Sequence, residues 1–399
     1  GSTLRQRVKK LVSIRKRGKR TDEVKDKIDT NEKASNTPTD AQKAVFKAFV
    51  KEVVEMGVEG RLKEFAVLKS YLAVNYARNI FDQNPTKNRY KDVICNELTR
   101  VSIKDGKRSD YIHANYVKGD YLQNTFICTQ GPMPTTVYDF WRMIVSENVT
   151  HIVMLCETIE NGKAKCEQYW PIAQDEKMTI EDFTLTNLRV SSDDNHVTRT
   201  TIELQVGNGG QKHLVKHHQW KTWPDKTVPK SLLAVFRILE VVRRSSNPIV
   251  IHCSAGIGRT GSMMAIEMGL QTLLAGQKLN LLETCRKLRD QRMHGVQVEA
   301  QYVYVAEALC EYGKAMGYWN DPELIDQYQK FKTTFDEYVA RLPPPDAAVP
   351  QQAVLLASAA IQNQQVLQNQ PLLQRQPQVP PMVISPAQEV AAPTPPLNS

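Results

Sequence analysis

Apolar positions near the start of the chain follow a helical pattern. Between residues 40 and 68 their spacing predicts a long helix with Thr39 or Asp40 as its cap. The apolar face of this helix comprises Val45, Phe46, Phe49, Val50, Val53 and Val54. The folded part of the chain is therefore expected to begin near residue 37.

The middle of the chain, between about residues 110 and 220, carries short β-like runs instead. Two of them are Thr150–Leu155 and Thr198–Leu204, in which β-branched and apolar residues dominate. The sequence Gly-Asn-Gly-Gly at residues 207–210 predicts a hairpin turn. These runs predict a sheet that contains antiparallel strands.

Beyond Leu232 the pattern is mostly helical, with one interruption. The apolar strand Pro248–His252 separates the helical stretches. Asp321 and Pro322 predict the cap and first turn of a last helix that ends near Leu342. We therefore expect one mixed α/β domain over residues 37–342.

The two ends, residues 1–36 and 343–399, differ from this domain in composition. The first 20 residues hold nine lysines and arginines and no acid, and without them the 52 basic and 43 acidic residues of the chain balance. This charge distribution excludes a uniformly basic nucleic-acid-binding domain. Residues 343–399 contain 12 of the 21 prolines, 11 glutamines and three charged residues, a composition typical of a disordered tail.

Each end suggests a class of partner. Residues 15–20, Arg-Lys-Arg-Gly-Lys-Arg, are typical of a nuclear import signal, of a contact with a membrane surface or of a contact with an acidic partner. A solvated terminus is an equal alternative. In the tail, Pro377–Pro380 and Pro393–Pro396 fit the PxxP pattern of ligands for polyproline-binding domains, although such matches arise by chance in a proline-rich segment.

The cysteines favour a reducing compartment. They number seven and include no CxxC pair, which argues against a disulfide framework and against a zinc module. No apolar run is long enough to cross a bilayer, and no hydrophobic signal peptide follows the basic start. We expect a monomeric cytoplasmic protein, or the intracellular part of a larger one, with nuclear or membrane-associated locations as alternatives.

One segment, residues 250–262, passes from an apolar strand through a glycine-rich turn into a helix predicted from Met263 to Leu274. Within it, residues 256–261 match the dinucleotide fingerprint G-x-G-x-x-G, and Glu283 follows at about 20 residues. No strand–helix repetition precedes the turn, which argues against a dinucleotide-binding fold. No lysine follows the last glycine, which excludes a P-loop.

Cys253 and Arg259 bracket this turn, which we call the cradle (residues 253–259). Its small residues allow backbone N–H groups to converge on an anion at the N-terminus of a helix. The same field favours the thiolate of Cys253, and Arg259 can bind two phosphoryl oxygens in bidentate fashion. A buried cysteine beside an ordinary glycine turn is the simpler alternative, but it does not account for the arginine.

The segment His252–Gly261 resembles the signature loop of the classical protein tyrosine phosphatases. Further blocks resemble motifs of that family, in order and spacing, over roughly residues 41–320. These blocks are Lys87–Val93 (the phosphotyrosine-recognition loop), Asp110–Asn115, Thr129–Pro132 with Asp139–Trp141, Lys165–Pro171, Trp223–Asp225 (the mobile acid loop) and Gln297–Gln301 (the glutamine loop). The resemblance implies a protein tyrosine phosphatase fold of the non-receptor or cytoplasmic kind, with a central, highly twisted mixed β-sheet flanked by helices.

The resemblance also implies hydrolysis of phosphotyrosine without a metal ion or a cofactor. Cys253 would attack the phosphorus to form a phosphocysteine, and Asp225 would protonate the leaving tyrosyl oxygen and then act as a base. Gln297 would position the hydrolytic water with help from Gln301, and the Thr260 hydroxyl would help the thiolate to leave. The phosphoryl oxygens would be held by the Arg259 side chain and by the amides of Ser254, Ala255, Gly256, Ile257, Gly258 and Arg259.

Other family positions would orient these groups. His252 would orient the cysteine through hydrogen bonds, and Trp223 and Pro224 belong to the acid loop. Glu160 and Lys165 match the loop that supports the arginine and the acid loop.

Substrate selection follows from two further positions of the resemblance. Tyr90 would form an aromatic wall beside the phosphotyrosine ring, in a pocket too deep for the shorter phosphoserine. Asp92 matches the residue that grips the peptide backbone. The implied partners are phosphotyrosine-containing proteins.

Several positions depart from the family pattern. Lys226 and Thr227 follow Asp225, where the family usually has an aromatic residue or histidine and then glycine, so loop closure is expected to be restricted. His294 occupies a usually small position at the pocket rim. Residues 94–96, Ile-Cys-Asn, replace the proline–aromatic pair that usually follows Val93.

Two other functions remain open on this sequence. A phosphotyrosine-binding pseudophosphatase typically lacks the Cys, the Arg or the Asp, and all three are present here. A phosphatase for phosphoserine, phosphothreonine or lipid is disfavoured by the wall at Tyr90. His217 and His218 are adjacent in a predicted strand and point to opposite sides, so we expect structural histidines and no metal site; Cys285 and Cys310 are expected to pack in the core.

Overall fold

The structure, a computed structural model, describes residues 37–192 and 196–343. Its helices are α1 Asp40–Lys69, α2 Asn79–Gln83, α3 Val137–Ser146, α4 Leu233–Val242, α5 Arg259–Leu274, α6 Leu281–Gln291, α7 Glu299–Met316 and α8 Pro322–Ala340. Short 3₁₀ turns occupy Pro85–Lys87 and Glu97–Thr99. The basic N-terminal segment and nearly all of the tail, with its PxxP matches, lie outside the described residues, and their domain bounds stay predictions.

A nine-stranded sheet forms the centre, and a two-stranded ribbon lies beside it. The strands are β1 Arg100–Ser102, β2 Tyr111–Val117, β3 Phe126–Thr129, β4 His151–Met154, β5 Ile159–Glu160, β6 Lys163–Ala164, β7 Lys177–Ile180, β8 Phe183–Ser191, β9 Val197–Val206, β10 Lys212–Trp220 and β11 Ile249–His252. The order in the large sheet is β1-β2-β3-β11-β4-β10-β9-β8-β7, and β5 pairs with β6.

The sheet is mixed, as predicted. Strands β3, β11, β4 and β10 run parallel in its middle, and the pairs on either side of them are antiparallel. Parallel strands are buried on both faces, and every residue of β3, β4 and β11 is buried. The carboxyl ends of adjacent parallel strands therefore meet at one edge of the sheet, which is where ligands bind in open α/β sheets.

The predicted hairpin and first helix are confirmed. Strands β9 and β10 pair in antiparallel register around residues 207–211, and Gly207 and Gly209 have positive φ values of 63° and 73°. Thr39 caps α1, because its hydroxyl accepts from the Gln42 amide at 3.2 Å while the Gln42 side chain accepts from the Thr39 amide. Inside α1, Gly57 leaves the helical conformation with φ 67° and ψ −179°, so the helix is kinked there.

The starts of two helices can be compared with the sequence predictions. Helix α5 begins at Arg259, four residues before Met263, because the small residues of the turn continue directly into the helix. Asp321 precedes α8, but its side chain makes no capping hydrogen bond and instead pairs with Lys47 on α1. The helix therefore begins where expected, with Asp321 at its N-cap position and Pro322 in its first turn.

Helices α1, α5, α6, α7 and α8 pack together on the core. Helix α5 is buried almost all round, because it lies between the sheet and the other helices. Cys285 and Cys310 are fully buried in this core, which confirms their predicted packing role. None of the described helices combines the length and the apolar character that a membrane span requires.

Candidate active site

Cys253 lies directly after β11, between the carboxyl ends of β3 and β4. Its side chain is almost fully buried, with 3% of the residue exposed. The Gly256 amide donates a hydrogen bond to its sulfur at 3.2 Å. The cradle thus places a nucleophilic atom in front of the N-terminus of α5, whose dipole favours negative charge.

Neighbouring elements bind the carbonyls of the cradle. The Gly131 amide donates to the Ser254 carbonyl at 2.9 Å, and the Val296 amide donates to the Ile257 carbonyl at 2.9 Å. Within the described residues, no backbone carbonyl accepts a hydrogen bond from the amides of Ser254, Ala255, Ile257 and Gly258. Bound carbonyls and free amides are the arrangement that an anion-binding turn requires.

The backbone conformation and close packing at residue 256 explain why the signature has a glycine there. Its φ is +70°, and a Cβ atom there would lie 2.1 Å from the Thr129 carbonyl oxygen and 2.9 Å from an Nη atom of Arg292. Any side chain would therefore displace the turn from β3. The spacing of the motif reflects this close approach of two backbones.

The Arg259 guanidinium is buried and binds the predicted supporting groups. Its two Nη atoms bind the two carboxylate oxygens of Glu160 at 2.5 and 3.0 Å. Its Nη1 also donates to the Trp223 carbonyl at 3.0 Å, and its Nη2 lies 3.3 Å from an oxygen of Asp225. Burial lowers the pKa of Arg259, but the bond to Glu160 and nearby groups outweigh it and raise the pKa above its usual value. The arginine joins the cradle to the acid loop, which we define as residues 223–228.

The carboxylate of Asp225 is held between cations. Lys165 donates to its Oδ2 at 2.8 Å, and the Lys226 amide donates to its Oδ1 at 3.1 Å. Burial raises the pKa of Asp225, but the charge of Arg259 and the bond from Lys165 outweigh it and lower the pKa below its usual value. These contacts therefore favour the ionised form of Asp225.

The acid loop is anchored at its start and exposed in its middle. Trp223 is buried and its indole donates to the Thr227 carbonyl at 2.9 Å, while Pro224 and Lys226 are exposed. Lys226 has a φ of +55°, a conformation that glycine or asparagine adopts more readily than lysine. The departure that the sequence shows at Lys226 and Thr227 thus coincides with a strained turn.

Tyr90 stands beside the cradle, as the resemblance implies. Its hydroxyl lies 2.9 Å from the Ser254 hydroxyl, which in turn donates to the Lys165 carbonyl at 2.9 Å. Asp92 is exposed two residues further on. The half-buried ring of Tyr90 is therefore adjacent to the cradle at Ser254.

The glutamine loop approaches the cradle at Gly258. A Cβ atom on Gly258 would lie 2.9 Å from Oε1 of Gln297 and 3.1 Å from Nε2 of Gln301. Gln301 accepts from the Gln297 amide at 3.1 Å. Within the described part of the chain, the buried Gln301 Nε2 and Thr260 hydroxyl have no hydrogen-bond partner, so both can serve a bound group.

His252 begins a hydrogen-bond chain that the sequence did not predict. Its Nδ1 lies 3.0 Å from the Cys253 carbonyl and its Nε2 2.8 Å from the Tyr169 hydroxyl, which is 2.8 Å from Nε2 of His217. Nδ1 must donate to the carbonyl, so the neutral His252 accepts from Tyr169 and His217 donates to Tyr169. Burial lowers the pKa of His252 to about 4, which keeps it neutral.

His217 and His218 occupy opposite faces of β10, as predicted. His218 lies 3.1 Å from His151 and takes no part in the site, whereas His217 connects to His252 through Tyr169. Among the described residues no group of His, Cys, Asp or Glu side chains is arranged to hold a metal ion. A lone histidine in a strand gives no signal that a tyrosine on another segment joins it to the nucleophile.

The other departures from the family pattern are His294 and the segment after Val93. His294 has a φ of +62° and is half-buried, and burial with the charge of Arg289 lowers its pKa to about 4, against the opposing effect of Asp92. Ile94 and Cys95 are buried in a small apolar cluster with Phe81 and Met293. The segment after Val93 therefore packs against Phe81 and Met293 without the usual proline.

Comparison with known proteins agrees with this geometry. The family model for protein-tyrosine phosphatase matches residues 84–311. Human tyrosine-protein phosphatase non-receptor type 9 is 37% identical over a match that covers 59% of this chain and 43% of that protein. The chain thus spans less than half the length of this relative.

Two solved structures are similar in fold. The catalytic domain of human protein tyrosine phosphatase non-receptor type 18 matches with a TM-score of 0.61 and 28% identity, covering 68% of this chain and 99% of that one. PTPN18 in complex with phosphopeptides of HER2 matches with a TM-score of 0.60 and 28% identity, covering 66% of this chain and 98% of that one.

Proposed function

The chain belongs to the protein-tyrosine phosphatase family, and on that premise we propose that it hydrolyses phosphotyrosine in proteins through a phosphocysteine intermediate without a metal ion. The observation that carries the proposal is the convergence of three groups at the carboxyl end of β11. Cys253 accepts a hydrogen bond inside the cradle, and Arg259 lies 3.3 Å from the carboxylate of Asp225. A nucleophile, an oxyanion-binding cation and a proton donor are the parts that phosphoryl transfer to cysteine needs.

In the first step the Cys253 thiolate attacks phosphorus as the bond from phosphorus to the tyrosyl oxygen breaks. Asp225 gives its proton to that oxygen, so that tyrosine leaves neutral. Arg259 and the cradle amides hold the three remaining phosphoryl oxygens. The dianion brought by the substrate opposes the cations around Asp225, and this favours the protonated form of the acid that the step requires.

In the second step water attacks the phosphocysteine. Asp225, now ionised, takes the proton of the water, the bond between phosphorus and sulfur breaks, and phosphate leaves. Gln297 positions the water with help from Gln301, both of which lie against Gly258. The Thr260 hydroxyl, without a partner among the described residues, can donate to the sulfur and stabilise the departing thiolate. Glu160, Lys165 and His252 support these groups.

Substrate selection rests on the depth of the site. Cys253 is almost fully buried, so a phosphoryl group reaches it only at the end of a long, flat side chain, with Tyr90 as one wall. Asp92 is exposed where it can accept hydrogen bonds from a peptide backbone. The similar PTPN18 binds phosphopeptides, which supports the same class of substrate here.

The remaining parts of the proposal concern the protein as a whole. We propose a monomeric, cytoplasmic enzyme whose tail binds a polyproline-binding domain and whose basic N-terminal segment binds an acidic partner, a membrane surface or an import factor. These assignments rest on composition alone.

The test uses the full chain in the presence of a metal chelator. We expect release of phosphate from a phosphotyrosine peptide and not from the matching phosphoserine peptide, and a phosphorylated Cys253 in acid-quenched samples analysed by mass spectrometry. Cys253→Ser should bind the phosphotyrosine peptide without turnover. Tight binding without turnover by the wild-type chain would contradict the proposal and favour a phosphotyrosine-binding protein, with the strained Lys226 turn as the physical cause.

A further inference from the structure

Arg292, just after α6, lies fully buried behind the cradle. Its Nε donates to the Gly256 carbonyl at 3.0 Å and its Nη2 to the Ala255 carbonyl at 2.9 Å. Its Nη1 donates to the side-chain oxygen of Asn115 at 2.8 Å. Two carbonyls of the cradle are thereby fixed on the side away from the position of a bound phosphoryl group.

The same Nη1 lies 3.1 Å from Nδ1 of His113, on β2. An arginine can only donate, so Nδ1 of His113 accepts, and its Nε2 donates to the Val93 carbonyl at 2.8 Å. His113 is therefore neutral. Burial and the charge of Arg292 lower the pKa of His113 to about 3, in agreement with this tautomer.

No carboxylate among the described residues pairs with Arg292. The other titratable groups that face it are neutral at physiological pH. Burial raises the pKa of Cys95 to about 11 and that of Cys128 to about 12, raises that of Tyr111, and lowers that of His294 to about 4. A buried cation without a counter-ion is costly, and an anion brought close to Arg292 would offset that cost.

The proposed function requires a Cys253 thiolate in the cradle whose carbonyls Arg292 contacts, and Cys253 lies within electrostatic range of Arg292. The groups around Cys253 itself are Arg259 from α5, His252 from β11, Cys128 from β3 and Cys156 after β4. His252 and the two other thiols are neutral, because burial lowers the pKa of His252 to about 4 and raises the pKa values of Cys128 and Cys156. Arg259 is already paired with Glu160, which leaves Arg292 as the uncompensated charge.

We propose that Arg292 is a positioning residue of the cradle, which fixes two of its carbonyls and supplies a buried positive charge whose counter-ion is the Cys253 thiolate or a bound phosphoryl group. The inference rests on the proposed function, because it assigns a supporting charge to the same nucleophile. The proposed role of Arg292 differs from a purely structural role in one respect. A structural residue affects stability, whereas this charge also sets the pH at which Cys253 reacts and the affinity of the site for oxyanions.

Two variants of the full chain change the charge by different routes. Arg292→Met removes the cation together with its hydrogen bonds. Asn115→Asp keeps the arginine and places a carboxylate against it, at the position where the Asn115 oxygen already accepts its hydrogen bond. The second variant therefore neutralises the charge without opening the space behind the cradle.

Each variant has a matched control. Arg289 is also buried, donates to the carbonyls of Leu68, Gly295 and Val296, and pairs with no carboxylate among the described residues, so Arg289→Met removes a comparable group that does not touch the cradle. Asn115→Ala removes the same side chain as Asn115→Asp without adding a charge.

The measurement is the rate of Cys253 alkylation by iodoacetamide from pH 5 to 9, with orthovanadate affinity and thermal unfolding alongside. For Arg292→Met and Asn115→Asp we expect the alkylation of Cys253 to be slower by about 10-fold or more at pH 6 and little changed at pH 9. We expect vanadate binding to be weaker by a similar factor. The reason is that loss of a nearby opposite charge shifts the pKa of an ionisable group by about one unit or more. The controls should lose stability and keep the wild-type pH profile.

Unchanged pH profiles in both charge variants would overturn the inference and leave Arg292 a structural residue. If Arg292→Met does not fold, Asn115→Asp against Asn115→Ala decides the question alone. Hydrolysis of the phosphotyrosine peptide by the wild-type chain is scored separately. Absence of that hydrolysis would contradict the proposed function. An unchanged pH profile of Cys253 alkylation in the variants would contradict only the role of Arg292.

Discussion

The cradle and the acid loop contribute to one site but are held in different ways. The cradle is buried, and the segments that follow β3 and α6 bind it through backbone and arginine hydrogen bonds. The acid loop is exposed at Pro224 and Lys226, and its aspartate is held by the charges of Lys165 and Arg259. The position of the nucleophile is therefore fixed by packing, whereas the position and protonation of the acid depend on the balance of charge.

Replacing Arg259 should give the largest effect, because it is the residue shared by both regions. For Arg259→Lys we expect kcat to fall by about 10³- to 10⁵-fold, since lysine cannot bind two phosphoryl oxygens in a fork. The matched control is Arg243→Lys, which disrupts a similar buried pair with Glu267 away from the site. Equal losses of activity in the two variants would contradict the difference between the regions.

Asp225→Asn should affect only the acid loop. We expect kcat on a phosphotyrosine peptide to fall by about 10²- to 10⁴-fold, because the tyrosyl oxygen must leave as an anion. The alkaline limb of the pH–rate profile should disappear, while alkylation of Cys253 should continue. An aryl phosphate with an acidic phenol as leaving group needs no proton and should show a much smaller loss; the same loss on both substrates would argue against Asp225 as the acid.

Acidification should weaken the region behind the cradle before it alters the acid loop. Burial lowers the pKa values of His113 and His252 to about 3 and 4, below about 6.5 in the unfolded chain, so the unfolded chain takes up protons first. This contribution to stability is complete above pH 6.5 and is lost as pH falls toward the folded values.

We therefore expect the free energy of unfolding in urea to fall by about 2 kcal/mol or more between pH 7 and 5. A single buried histidine contributes about 1.4 kcal/mol for each pH unit below the pKa of the unfolded chain, so one such residue is enough to produce this change. Carboxylates with lowered pKa values act below this window. For His218→Phe, which removes a buried histidine outside the site, the pH slope should be shallower. Stability that does not change between pH 7 and 5 would contradict the neutral state of the buried histidines.

The smallest effect is expected at the strained turn of the acid loop. Asparagine tolerates the φ of +55° seen at Lys226, whereas β-branched valine does not. We expect kcat of Lys226→Asn to stay near wild type and Lys226→Val to be lower by a factor that corresponds to about 1 kcal/mol. Both variants lose the lysine charge, so their ratio isolates backbone strain; equal rates would show that the turn relaxes before the chemical step.

Much of the fold was predictable because it depends on local patterns. Helix α1, the hairpin between β9 and β10, and strand β11 each follow from apolar spacing or turn residues, which act over a few positions. The start of α5 was placed too late because glycine and serine carry no helical signal, although they occupy its first turn. Asp321 and Pro322 occupy the N-cap and first turn of α8 as predicted, but a distant lysine, Lys47, binds the Asp321 carboxylate, which therefore makes no capping hydrogen bond.

The sequence by itself predicted the family of this protein and the chemistry that we propose, because the cradle and Trp223–Asp225 are contiguous motifs in which the spacing of the residues limits which groups can act together. Tertiary structure decided how these groups are supported. The link from His217 through Tyr169 to His252, and the contacts of Arg292 with the cradle, join residues far apart in the sequence. Burial removes water from both sets of contacts, and electrostatic interactions and hydrogen bonds are stronger where water is excluded. The neutral His252 and the unpaired Arg292 can therefore influence the nucleophile only in the folded protein.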